Sequence, residues 1–208
     1  MTDLNIHALF PTYMGSVDLR TDPDFEAANM DLRALAYEYC STPDPELKTD
    51  DSDANVYTAY ADRPGIAWLN GHLTRIVTGM AEQYGIEGYD GIRMLGSPHI
   101  SAAGVPFYMH PHVHTYTSLF TACYYCDAGD SGTHGGEFKA WDPRWINTSM
   151  FNRTMKPHQT FKPHTGMVLI WPNIVWHDVN LYIGTTDRIT FRTDFALPHS
   201  DFDQPKRY

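Results

Sequence analysis

Cysteine is scarce in this chain: Cys40, Cys123 and Cys126 are the only three in 208 residues. Three thiols cannot all pair, and their spacing builds no disulfide framework, so a core and not covalent staples has to hold the fold. Cys123-Tyr-Tyr-Cys126 has C-x-x-C spacing, but on a strand residues three apart face opposite sides, and the two sulfurs cannot reach one metal without a turn. Long apolar runs are also missing; none approaches the ~20 residues of a membrane span. The opening Met1-Thr-Asp-Leu-Asn5 lacks a basic stretch followed by an apolar one, so no signal peptide is expected. Positive charge is in deficit. With 15 Lys and Arg against 25 Asp and Glu the net charge is −10, which argues against a nucleic-acid backbone or an anionic membrane as partner. A small anionic ligand stays possible, because one local cation can hold it inside an acidic protein. The absences lead us to expect a soluble, cytoplasmic protein in a reducing compartment, and they leave a small molecule or a peptide open as its partner.

What is present is apolar residues at 42%, aromatics at 13%, 15 glycines and 14 prolines. That supports a real core built from many short strands and turns. The length fits one domain, 1–208, divided into a helical and extended part over 1–85 and a strand-rich part over 86–208. Residues 1–20 alternate loosely and are read as extended. From Asp22-Pro-Asp-Phe25 to Tyr39, the apolar residues Phe25, Met30, Leu32, Leu35, Ala36 and Tyr39 recur mostly at three and four, with Asp at the front, as in a capped amphipathic helix. Residues 41–63 are acidic and turn-like, and Asp50-Asp-Ser-Asp53 lacks the spaced ligands and glycine of a calcium loop. Pro64 to Tyr84 gives a second helix, with Ile66, Leu69, Leu73, Ile76, Val77 and Met80 on one side.

After Gly85 the texture changes. Strands are expected near 91–100, 105–114, 117–126, 136–141, 158–162, 167–171, 175–182 and 188–196. Eight short strands with no helical pattern between them predict a mainly β fold, a barrel or jelly roll (double-stranded β-helix) carrying the two N-terminal helices.

The chemistry-bearing stretch is Tyr108-Met-His-Pro-His-Val-His114. On a strand, spacing two puts His110, His112 and His114 on one face, a poor oily core but a good grip on a metal ion. Imidazole suits Fe, Zn, Cu and Ni alike, so the histidines alone do not choose the metal. A jelly roll joins distant strands, and His177 in Trp171-Pro-Asn-Ile-Val-Trp-His177 is the distal candidate. The remaining histidines, at 7, 72, 99, 134, 158, 164 and 199, are read as surface or hydrogen-bonded residues. Arg188-Ile-Thr-Phe-Arg-Thr-Asp-Phe195 alternates cleanly. Arg188, Thr190, Arg192 and Asp194 share one face, which forms either a polar cavity wall headed by an anion-binding fork or a solvated outer face.

These residues resemble the 2-oxoglutarate/Fe(II)-dependent oxygenases. The resemblance is carried by His112-Val-His114, the Tyr124-Tyr125 strand, Gly135-Gly-Glu-Phe138 before Asp142-Pro-Arg144, Trp171-Pro-Asn-Ile-Val-Trp-His177, Arg188-Ile-Thr-Phe191 and the opening Leu9-Phe-Pro-Thr12. It is closest to a largely uncharacterised group with H-x-H, then F-P-x-x-x-x-H, then R-I-S, and more distant from prolyl hydroxylases. The resemblance implies Fe(II) and 2-oxoglutarate as cofactors, with His112, His114 and His177 as metal ligands and His110 as an alternative at the same spacing. It implies that Arg188, with Tyr125 and Thr190, holds the distal carboxylate of 2-oxoglutarate. His114 stands where most of the superfamily has Asp or Glu, so the usual 2-His-1-carboxylate set is changed. Arg192 replaces a small hydroxyl residue, with Asp194 beyond it on the same face; the two either pair in the cavity or Arg192 meets an acidic substrate. Trp171, Trp176 and Tyr125 are expected as aromatic walls that keep water out, Trp176 on the substrate side. The implied activity is hydroxylation coupled to decarboxylation of 2-oxoglutarate to succinate. Two rivals use the same fold: a cupin-type metalloenzyme with three or four histidines and no co-substrate, and a non-enzymatic binding or structural jelly roll.

Overall fold

A computed structural model describes residues 11–41, 55–86, 93–114, 118–142 and 157–196. Along the chain the elements are β1 (Gly15–Asp18), a 3-10 turn (Leu19–Thr21), α1 (Phe25–Ser41), α2 (Val56–Ala59), α3 (Pro64–Gln83), β2 (Arg93–Ser101), β3 (Phe107–His112) and β4 (Ser118–Asp127). They continue as β5 (Phe138–Trp141), β6 (His158–Phe161), β7 (Met167–Pro172), β8 (His177–Tyr182) and β9 (Arg188–Ala196). The strands form two antiparallel sheets, in the orders β1-β7-β4-β9-β2 and β3-β8-β5-β6. The architecture is mainly β, with few helices.

The first helix starts where the sequence places its cap. Asp22 accepts the Asp24 backbone N–H at 3.0 Å through its carboxylate, and its carbonyl takes the Phe25 N–H at 3.1 Å. The same carboxylate receives the Trp68 indole N–H at 3.1 Å, so the cap also ties α1 to α3. Gly65, in the first turn of α3, donates its N–H to Asp31 at 2.8 Å; a Cβ there would come within 2.9 Å of the Ala28 carbonyl, so only glycine lets the two helices approach this closely.

Alternation along the larger sheet sorts its two faces. Phe120, Ala122, Tyr124 and Cys126 of β4, Val168 and Ile170 of β7, and Ile189, Phe191 and Phe195 of β9 join Leu32, Leu35, Leu69, Leu73 and Val77 in one core under the helices. The opposite face looks toward the second sheet. There Tyr125, Leu169 and Trp171 meet Phe138 and Ala140 in a second, smaller cluster. Being covered on both sides, β7 is buried along its whole length.

The expected strands reappear with ends moved by at most two residues, and three expectations need correction. β1 forms within the loosely alternating opening, as a short edge strand paired with β7. A one-turn helix, α2, occupies part of the turn-like 41–63 region; it is capped by Asn55, whose side-chain oxygen accepts the Tyr57 N–H at 3.3 Å. The 105–114 strand ends at His112, with register breaks on either side of Met109. As the strand spacing requires, Cys123 and Cys126 face opposite sides of β4, and Cys126 donates to the Asn29 carbonyl under the helices. The acidic stretch 50–53, Pro143, Arg144 and Leu9 lie outside the described residues. No helix among the described residues is long and apolar enough to cross a membrane.

Candidate metal centre

Three imidazoles converge between the sheets. His112 ends β3 and is the register partner of His177, which begins β8. The two ring centroids are 4.3 Å apart. His114 follows β3 and is held by its backbone N–H on the Asn173 carbonyl at 3.3 Å, in the turn before His177. One nitrogen from each of the three lies within 4.8 Å of the others, a group able to hold a metal ion.

The outward ring nitrogens decide what the inward ones offer. His112 Nδ1 sits 2.7 Å from the His110 carbonyl, His177 Nδ1 2.9 Å from the Val175 carbonyl, and His114 Nδ1 3.0 Å from Asp194 Oδ1. All three partners are acceptors only, so each Nδ1 carries the proton and a neutral ring keeps its lone pair on Nε2. The Nε2 atoms of His114 and His177 then face each other at 3.2 Å. Lone pairs pointed at one another repel. A cation between them removes the conflict, and imidazole nitrogen is a suitable donor for iron.

Burial disfavours the charged form of His177 and His112. His177 is packed between Trp171 and Phe138, with centroids at 4.8 and 5.3 Å. Its desolvation pushes the imidazole pKa down to about 3, helped by the neighbouring histidines and opposed by the Val175 bond. Burial lowers His112 as well. His110 does not join them. The register breaks around β3 undo the one-face alternation, leaving His110 exposed against Tyr108, with ring centroids 4.6 Å apart.

The polar wall of β9 faces inward, toward the histidines and the second sheet. Arg188 is 2% exposed and Thr190 is 6% exposed, which rules out a solvated outer face. Ser101 is the register partner of Arg188, and Tyr125 of Thr190. The Arg188 guanidinium carbon lies 5.2 Å from the Tyr125 ring centroid. Arg188 Nε, the Tyr125 hydroxyl, the Ser101 hydroxyl and the Trp171 indole N–H are buried with no hydrogen-bond partner among the described residues. Leaving such groups unpaired costs about 1–3 kcal/mol each, so this cluster has the chemistry of a site completed by an anionic, oxygen-rich ligand. Burial raises the Tyr125 pKa, which keeps its hydroxyl a donor. Ser101 escaped the sequence reading, because only the β2–β9 register brings it opposite Arg188.

Further along the wall, Asp194 accepts from Thr121 Oγ1 at 2.7 Å and lies 3.7 Å from Arg192 Nε. Burial raises its carboxyl pKa, but His114, Arg192 and Thr121 together hold it below the ordinary value. Of the expected aromatic walls, Trp171 and Tyr125 are buried beside the site. Trp176 is 44% exposed in the turn before β8, one position out of step with His177. A separate groove of about 570 Å3 between β1 and α3, lined by residues including His72, Arg75 and Met80, borders none of the three histidines.

Comparison with known proteins agrees with this chemistry. Residues 103–194 match the family model described as "Putative 2OG-Fe(II) oxygenase". No curated protein matches at the sequence level. Among solved structures the fold is similar to a Pseudomonas putida prolyl-4-hydroxylase, at 12% identity and TM-score 0.57, over 90% of this chain and 89% of that one. It is also similar to a viral collagen prolyl hydroxylase from Paramecium Bursaria Chlorella virus-1, at 11% identity and TM-score 0.55, over 95% of this chain and 100% of that one. A third is HygX from Streptomyces hygroscopicus, solved with nickel and 2-oxoglutarate bound, at 11% identity and TM-score 0.53, over 90% of this chain and 83% of that one.

Proposed function

We propose that this chain, a match to the 2OG-Fe(II) oxygenase family across its strand-rich part, is a 2-oxoglutarate- and Fe(II)-dependent dioxygenase of jelly-roll fold that hydroxylates a peptide or small molecule. The observation that carries the reading is the convergence of three imidazoles, each with its Nδ1 on an outer acceptor, beside a buried arginine.

His112, His114 and His177 would hold Fe(II) through Nε2 and leave its other positions open, as an oxygenase requires. When bound, Fe(II) with 2-oxoglutarate supplies oxidative decarboxylation to succinate, with one oxygen atom going to the substrate. The rest falls to the protein. Arg188 offers a planar fork for the distal carboxylate of the co-substrate, flanked by Tyr125, Thr190 and the Ser101 hydroxyl. Trp171 and Phe138 seal the His177 side from water. The prolyl hydroxylases among the similar folds make a peptide one substrate class to screen, beside small metabolites.

A cupin-type metalloenzyme would use the same histidines, but it leaves the buried Arg188 Nε and the Tyr125 and Ser101 hydroxyls, which have no hydrogen-bond partner among the described residues, without a purpose. Adding 2-oxoglutarate anaerobically to the Fe(II) protein separates the two. A visible metal-to-ligand charge-transfer band is expected, followed by succinate on admitting oxygen. Intact iron binding with no band would mean the cupin reading. Absence of any stoichiometric metal would mean a non-enzymatic module.

A further inference from the structure

His114 is the ligand candidate that departs from the pattern, and its outer partner departs as well. His112 and His177 lean on neutral backbone carbonyls, of His110 and Val175. His114 alone leans on a carboxylate, Asp194, at 3.0 Å. That carboxylate is built in. Asp194 is 9% exposed, and its register partner across β4–β9 is Thr121, whose hydroxyl fixes the same oxygen, Oδ1, at 2.7 Å. Oδ2 is left toward Arg192 Nε at 3.7 Å. Thus the anion is supplied by β9 of one sheet, while the imidazole arrives from the end of β3 in the other.

Resting on the reading of the triad as metal ligands, we infer that Asp194 is the positioning residue for His114 and gives the three-histidine centre, through the Nδ1–H, the negative charge its ligand shell lacks. A charge-assisted hydrogen bond is about twice as strong as a neutral one. A carboxylate behind a ligating histidine fixes the ring and makes its inner nitrogen a better donor, and losing such a partner typically lowers metal affinity about 10–100-fold. In the common oxygenase set the carboxylate binds the metal directly. Here it stands one imidazole further out and neutralises charge from there.

The test uses Asp194→Asn, which keeps size and an acceptor but removes the charge. Anaerobic titration with Co(II) and Fe(II) should show affinity falling about 10–100-fold. Exchangeable, hyperfine-shifted imidazole N–H signals of the Co(II) protein give a readout independent of turnover: three are expected in the parent, and in Asp194→Asn only the one from His114 moves or is lost. If D194N does not fold, Thr121→Val replaces it; the carboxylate stays but Oδ1 loses its anchor, and the same single signal should shift. Unchanged affinity with all three signals in place, even at a lower melting temperature, overturns the inference and leaves the oxygenase reading standing. A parent protein that binds no stoichiometric metal, or binds it equally after His177→Ala, overturns both.

Discussion

Ser101 and Arg188 lie directly opposite one another across the β2–β9 pair, both about 2% exposed, on the face of the sheet that looks toward the three histidines. A buried guanidinium whose Nε has no hydrogen-bond partner among the described residues is poised for a ligand, and the strand register sets a hydroxyl beside it.

Replacing Arg188 with Met should therefore separate co-substrate from metal. Losing a buried, hydrogen-bonded charge pair costs about 2–5 kcal/mol of binding, so 2-oxoglutarate affinity should fall by roughly 30-fold or more while Fe(II) affinity stays. Ser101→Ala should cost about 1 kcal/mol, the usual net value of one hydrogen bond. Titration of the anaerobic charge-transfer band reads both. Retained 2-oxoglutarate binding in Arg188→Met would remove the anion site from β9.

The histidines make an ordered set of expectations. His177→Ala should abolish stoichiometric metal. His110→Ala should leave it intact, because His110 contributes only its backbone carbonyl, to His112. Metal analysis of untagged protein checks both; loss of metal in His110→Ala would mean that the other pair with the same spacing binds.

Acid should destabilise the metal-free protein through His177. Its folded pKa, about 3, lies below the ordinary 6.5, so between those values the unfolded chain binds the extra proton. The contribution is fully present above pH 6.5 and is lost as pH falls toward 3, with a slope near 1.4 kcal/mol per unit and a total of up to about 5 kcal/mol. Urea unfolding at pH 7 and pH 4.5 measures it, with His177→Gln as the comparison that should flatten the slope. A parent slope no steeper than that variant's would show His177 to be solvated.

Gly135→Ala tests the Gly-Gly turn before β5. The backbone there has φ +84°, and an added Cβ would run into the Leu181 carbonyl. Strain of this kind costs about 1–3 kcal/mol, so the melting temperature should drop by several degrees while the metal site stays formed. An unchanged melting temperature would mean that the turn is free to rearrange.

Much of this molecule is set by local pattern. The two long helices follow from three-and-four spacing, the inward strands from alternation, and the division of β9 into a polar and an apolar face from the sequence Arg188 to Phe195, while burial in the fold decided that the polar face turns inward. The two-residue spacing and one distal histidine marked His110, His112, His114 and His177 as candidates, and it was the family resemblance that singled out His112, His114 and His177. What the chain could not state was register and twist. The breaks around Met109 turned His110 out and left His114 in, since a bulge shifts side chains in a way no alternation rule anticipates. Ser101 and Thr121 gained their places only by lying opposite Arg188 and Asp194 in neighbouring strands. Asp194 read as the partner of Arg192, two residues away on its own strand, yet its shorter contacts are to His114 and Thr121, 80 and 73 positions earlier. Hydrogen bonds act over about 3 Å, and which atoms come that close across two sheets is decided by packing the whole fold.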